Sequence, residues 1–175
     1  DEYDSLESRT SEVTTLSEHL LWQLNLMPLT EQDLIIAKVL VDSIDPDGFL
    51  DVDLAEILDQ LSEEFDDIEL DEIECVLHQI QTLDPVGVGA RNLAECLSVQ
   101  LNALNHQGEE VSLAMKLIDD HLGLLTKKDR NGLKRALKCT DQELDSTLDI
   151  IRSLDPKPGA NIGSVDPEYV TPDLI

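Results

Sequence analysis

The sequence predicts an all-α protein made of two small helical subdomains, a larger N-terminal helical bundle and a smaller C-terminal three-helix bundle, with an extended tail. Three observations carry this. Hydrophobic residues make up 41% of the chain but aromatics only 3%, so its core is aliphatic, mostly Leu and Ile, which suits helix packing on helix. Runs of Val, Ile, Thr and Tyr of the strand type are absent. Polar N-cap patterns, by contrast, recur ahead of segments whose apolar residues fall at helical spacing.

Residues 1–14 are acidic and rich in Ser and Thr, with little periodicity, and read as a flexible linker. Thr15 and Glu18 form a capping-box pattern before LSEHLLWQLN, an amphipathic helix on which Trp22 is expected as a core anchor. Met27-Pro28 breaks it, and Thr30 caps the next helix, whose apolar face is Leu34, Ile35, Ala37, Leu40, Val41 and Ile44. Asp45-Pro46-Asp47-Gly48 ends that helix. A short one follows from Asp53 to Leu61, then an acidic loop from Glu63 to Glu69. Asp71 and Glu74 open a helix with Ile73, Val76, Leu77, Ile80 and Leu83 on one face.

The next stretch organises the chain. Asp84-Pro85 stops the helix, because proline lacks an N–H and pushes its predecessor out of the α region. Gly87 and Gly89 supply backbone freedom or close approach. Asn92 caps a helix on which Leu93, Cys96, Leu97, Gln100 and Leu101 share a face. Gly108 interrupts the chain, and a subdomain boundary is placed between Asn105 and Glu109, giving subdomains 15–107 and 108–155. The second contains a long helix from Glu109 to Leu125, a short basic helix, and Asp141 to Leu154 behind a Thr140–Glu143 box. Residues 156–175, with Pro156, Pro158, Gly159, Pro167 and Pro172, read as an extended linker to a further domain. Asp-Pro at a helix end recurs at Asp45, Asp84 and Asp155, at unequal separations, so it is a reused helix stop rather than a repeat.

Net charge is −26, and it is uneven: Asp1 to Cys75 carries 23 acids and 2 bases, a net of −21, against −5 for the remainder. Such a face repels phosphate and steers towards basic protein surfaces. The counter-example is Lys127, Lys128, Arg130, Lys134, Arg135 and Lys138, six bases against the single acid Asp129, a docking patch for an acidic surface or for DNA phosphates, or a solvated helix end. Cys75, Cys96 and Cys139 lack metal spacing and read as buried thiols in a reducing cytoplasm. No run approaches a membrane span.

Catalytic and cofactor chemistry finds no support. Read as an EF-hand, the Asp45–Gly48 loop lacks the bidentate Glu at its last position. Gly87-Val88-Gly89 follows a helix, not a strand, and has no third Gly and no Lys-Ser/Thr, so it does not cradle a nucleotide. His19, His78, His106 and His121 lie on different elements and suggest no triad. The chain is therefore expected to be a non-enzyme, with no metal, cofactor or small-molecule substrate.

Three ordered stretches resemble one family: HLLWQLNLMPLT with the later IDPDGFL, then IQTLDPVGVGARNLAECLSVQL, then IIRSLDPKPGANIGSVDPEYVTPDL. They are similar to the core-binding region of RpoN-type (sigma-54) bacterial sigma factors, over roughly Leu16 to the C-terminus. The resemblance implies a cytoplasmic interaction module that grips core RNA polymerase in transcription initiation from activator-dependent promoters. Promoter DNA and ATP-dependent activators would be met by other regions of a full-length protein. The polymerase contact is expected at Asp84, Pro85, Gly87, Val88, Gly89 and Ala90 and on the following helix at Arg91, Glu95 and Ser98. An acidic adaptor or DNA mimic occupying basic protein surfaces is the alternative.

Overall fold

The structure, a computed structural model, describes residues 14–104 and 108–162. Its helices are α1 (Leu16–Asn25), α2 (Glu31–Asp42), α3 (Leu54–Ser62), α4 (Leu70–Gln81), α5 (Leu93–Ala103), α6 (Glu109–Asp120), α7 (Leu122–Thr126), α8 (Arg130–Leu137) and α9 (Asp141–Arg152). Among the described residues extended pairing is confined to two isolated bridges, Ile44 with Leu50 and Phe49 with Ala90. The fold is all-α, as expected. The N-terminal stretch to residue 13 and the tail from residue 163 lie outside the described residues.

The local signals act much as read. Thr15 accepts from the Glu18 N–H at 3.1 Å while Glu18 reaches back to the Thr15 N–H at 3.3 Å. Thr140 and Glu143 repeat the arrangement, and Thr30 and Asn92 cap α2 and α5. The box before α4 lies two residues earlier than Asp71–Glu74: Glu69 is the cap and its N–H donates to the Glu72 carboxylate at 2.9 Å.

Two aliphatic cores form. The first takes Leu20 and Leu24 from α1, Ile36, Leu40 and Val41 from α2, Ile57 and Leu61 from α3, and Ile73, Leu77 and Ile80 from α4. The second takes Leu97 and Leu101 from α5, Leu117 and Ile118 from α6, Leu133 and Leu137 from α8, and Leu144, Leu148 and Ile151 from α9. Each fully buried Leu or Ile contributes about 1.5–3 kcal/mol relative to exposure. The cores thus divide one helix earlier than the boundary at 105–109 read from Gly108: α5 packs with the second half.

Three further expectations are corrected. The long helix from Glu109 breaks at His121, whose backbone leaves the helical region (φ −131°, ψ 22°), and α7 restarts behind it. That break lets Leu122, Leu124 and Leu125 pack on the second core. Cys75 is exposed rather than buried, whereas Cys96 is buried and Cys139 half-buried; burial pushes both of those thiols up from their ordinary value. The segment after α9 returns to the body over 155–162, burying Leu154, Pro158 and Gly159, instead of leaving as a free tail.

Candidate interaction surface around the central turn

The three Asp-Pro segments, distant in sequence, meet at one place. The Gly89 N–H donates to the Gly48 carbonyl at 2.7 Å, and the Leu50 N–H to the Ala90 carbonyl at 2.9 Å, joining the first loop to the second. The Gly159 N–H donates to the Asp47 carbonyl at 2.9 Å, joining the third to the first. A Cβ on Gly159 would stand 2.8 Å from the Gly48 nitrogen, closer than atoms sit, so this crossing requires glycine.

Two glutamines fasten the Asp residues by their backbones. The Gln23 carboxamide oxygen accepts from the Asp84 N–H at 2.9 Å and its Nε2 donates to the Asp84 carbonyl at 2.7 Å. Gln100 does the same to Asp155, at 2.6 Å in both directions. Asp45 and Asp155 use their own carboxylates inside the turn: Asp45 Oδ1 accepts from the Asp47 and Phe49 N–H groups, and Asp155 Oδ1 from the Lys157 N–H. Among the described residues no cluster of three or more His, Cys, Asp and Glu is placed to hold a metal ion.

Within the central turn the Asp84–Pro85 peptide is cis and Gly87 has φ +93°. A Cβ at Gly87 would meet Gln100 Nε2 at 3.0 Å and Cys96 at 3.1 Å. Gln81, buried at the end of α4, donates to Glu95 Oε1 at 2.9 Å. Glu95 also accepts from the Arg91 N–H at 2.9 Å and from the Arg91 guanidinium at 3.1 and 3.2 Å through Nε. Burial pushes the Glu95 carboxyl up, but Arg91, by guanidinium and backbone together, outweighs burial and holds it below the usual carboxylate range. The bond to Glu95 in turn raises Arg91.

The residues singled out from the sequence are thus brought together, but mostly inward. Gly87, Val88, Gly89 and Ala90 are buried; Pro85 is half-buried. Arg91 is bound to Glu95 and faces Glu74 at 3.7 Å, and Ser98 donates to Asp119 at 3.4 Å. Only Asp84 presents a largely free side chain, 80% exposed, with His19 Nε2 3.3 Å from its Oδ2. The basic cluster is split. Arg130 pairs with Asp145 at 2.8 Å and Asp141 at 3.4 Å, and Lys134 with Asp141 at 3.1 Å. Lys127, Lys128, Arg135 and Lys138 are exposed and have no ion pair among the described residues.

Trp22 is not a core anchor. It is 61% exposed, and Leu26, one turn on, is 70% exposed. Trp22 stacks on His19, ring centroids 6.5 Å apart at 18°. The signal was available: the Thr15 box fixes the register of α1, and Trp22 and Leu26 fall about 200° from Leu20 and Leu24, the residues that face the core.

Comparison with known proteins now bears on this arrangement. The family model described as the sigma-54 factor, core binding domain, matches residues 5–175. This chain belongs to the sigma-54 factor core-binding-domain family. The RNA polymerase sigma-54 factor of Pseudomonas putida is 46% identical over 175 residues, covering 100% of this chain and 35% of that protein. The sigma-54 factor of Azotobacter vinelandii is 45% identical, covering 100% and 34%, and that of Escherichia coli K12 is 40% identical over 161 residues, covering 92% and 33%. The chain spans about a third of the length of these relatives. The match to the sigma-54 family runs through all three Asp-Pro segments that converge in the fold.

Proposed function

We propose that this chain binds core RNA polymerase, as the core-binding region of an RpoN-type alternative sigma factor acting in bacterial transcription initiation from activator-dependent promoters. The observation that carries this is the match of the sigma-54 core-binding-domain family to residues 5–175, with relatives named RNA polymerase sigma-54 factor at 40–46% identity. The reading makes the chain a cytoplasmic interaction module rather than an enzyme. Among the described residues no helix is long and apolar enough to cross a membrane, which is compatible with that location.

Promoter DNA and an ATP-dependent activator belong, on this reading, to other regions of a full-length factor. The cations that have no ion pair among the described residues, Lys127, Lys128, Arg135 and Lys138, form a subsidiary docking patch for an acidic surface or for DNA phosphates. The converging turn, from Asp84 to Ala90 with Arg91, Glu95 and Ser98 beyond it, supports polymerase binding by holding α1, α4 and α5 in place; Asp84 is its free contact.

Competition for core RNA polymerase tests the proposal. The chain should displace a labelled sigma-54 factor from the core enzyme. Binding that is absent, or that is equalled by an unrelated basic protein and stripped by moderate salt, would reject it.

A further inference from the structure

The most exposed large apolar side chains among the described residues, Trp22 on α1 and Leu26 at its C-cap, stand one helical turn apart. Helix α1 is held firmly beneath them. Leu20 and Leu24 are fully buried, the Thr15–Glu18 box fixes its start, and Gln23 is bonded to the backbone of Asp84. The Trp22 ring lies against His19, whose Nε2 meets the Asp84 carboxylate. Asp84 in turn lines a groove of about 360 Å³ running between the central turn and the end of α5, with Pro85, Val86, Ala103, Leu104 and Leu154 among its walls. Ridge and groove therefore adjoin through Asp84.

Around the ridge the charge is mostly negative, although Lys157 and Arg152, the latter paired with Asp149, stand beside the far wall of the groove. From Leu16 to Ala103 the chain carries only two Lys or Arg residues, Lys38 and Arg91, and Arg91 is committed to Glu95. Glu18 precedes Trp22 by one turn on the same line of α1, and the Asp84 carboxylate is exposed. A ligand here meets apolar surface bordered by carboxylates. Tryptophan in a rigid setting is the residue type that most often dominates an interface, because little ordering cost is left to meet on binding.

We propose that the Trp22–Leu26 ridge of α1, with the groove beyond Asp84, is the docking surface for an amphipathic, basic segment of the partner. It rests on the reading above, in which that partner is core RNA polymerase. Apolar side chains of the segment cover Trp22 and Leu26 and enter the groove, while its Lys or Arg residues face Asp84 and Glu18.

The test uses the whole chain and core RNA polymerase of Pseudomonas putida, whose sigma-54 factor is 46% identical. Trp22→Ala and Leu26→Asp should each keep the melting temperature and lose tenfold or more in affinity, about 1.4 kcal/mol. Leu70→Ala, an exposed leucine on α4 away from the ridge, should bind like wild type. Because Trp22 is the only tryptophan, 5-fluorotryptophan labelling gives one fluorine resonance, which should shift and broaden as polymerase is added. Wild-type affinity in Trp22→Ala with an unmoved fluorine signal would overturn the surface while leaving polymerase binding intact. So would a Trp22-dependent dimer of the free chain in sedimentation velocity. Failure of the unmodified chain to bind polymerase would overturn both the surface and the functional reading.

Discussion

Gln100 holds Asp155 by both backbone groups, accepting from its N–H and donating to its carbonyl at 2.6 Å each, across 55 residues of sequence. The contact closes the segment after α9 onto α5, and Gln100 is buried. Truncation leaves a half-buried N–H and carbonyl without partners, which costs about 1–3 kcal/mol. Gln100→Ala should therefore lower the unfolding free energy by that amount, read in urea as a lower midpoint with an unchanged m-value. A midpoint like wild type would show that water replaces the carboxamide.

Glu95 makes stability depend on acid. Its carboxyl is held below its unfolded value, so its contribution is present above the unfolded pKa, near 4.5, and is lost as pH falls through the lower folded value. Glu95→Gln should be less stable than wild type at pH 7 and show a shallower loss of stability below about pH 4.5. Arg91→Ala should also be less stable, by about 1–2 kcal/mol, since the pair with Glu95 is partly exposed and the second acid, Glu74, stands farther off at 3.7 Å. Equal acid slopes in wild type and Glu95→Gln would remove Glu95 from the account.

Two glycines should respond in opposite directions. Gly87 combines φ +93° with contacts of 3.0–3.1 Å for any added Cβ, so Gly87→Ala should destabilise by about 1–3 kcal/mol. Gly123, in α7, has open space around it, and Gly123→Ala should stabilise by about 0.4–1 kcal/mol. Thermal melts of both, read against one wild-type sample, check the pair; a neutral Gly87→Ala would mean that the central turn relaxes freely.

The basic cluster divides in the same way. Reversing Arg130 and Lys134 to Glu breaks contacts to Asp141 and Asp145 and should lower the melting temperature. Reversing Lys127, Lys128, Arg135 and Lys138, which include the C-caps of α7 and α8, should cost less melting temperature than that while weakening the polymerase complex and flattening its salt dependence. An unchanged salt slope would make these four a solvated face.

What the sequence discloses, and what it hides, follows from the range of the interactions. Caps at Thr15, Thr30, Asn92 and Thr140 are contacts over three residues, and the strings carry them directly. The three Asp-Pro stops are equally local. Their meeting is not: the hydrogen bonds from Gly89 to Gly48 and from Gly159 to Asp47 have no local signature, so 155–162 reads as a tail. Glu95 looks like a free surface residue although its i,i+4 partner Arg91 is local; only its second partner, Gln81, lies across a turn and out of reach of the string. Trp22 is misjudged for a different reason. Size suggests burial, but phase on α1 decides against it.

The most direct test of the account is titration of the 175-residue chain into core RNA polymerase at 0.15 M ionic strength, where screening acts over about 8 Å. A saturable one-to-one complex that excludes a labelled sigma-54 factor is the expected result. Absence of binding, or non-saturable binding shared with an unrelated basic protein such as lysozyme, would contradict it.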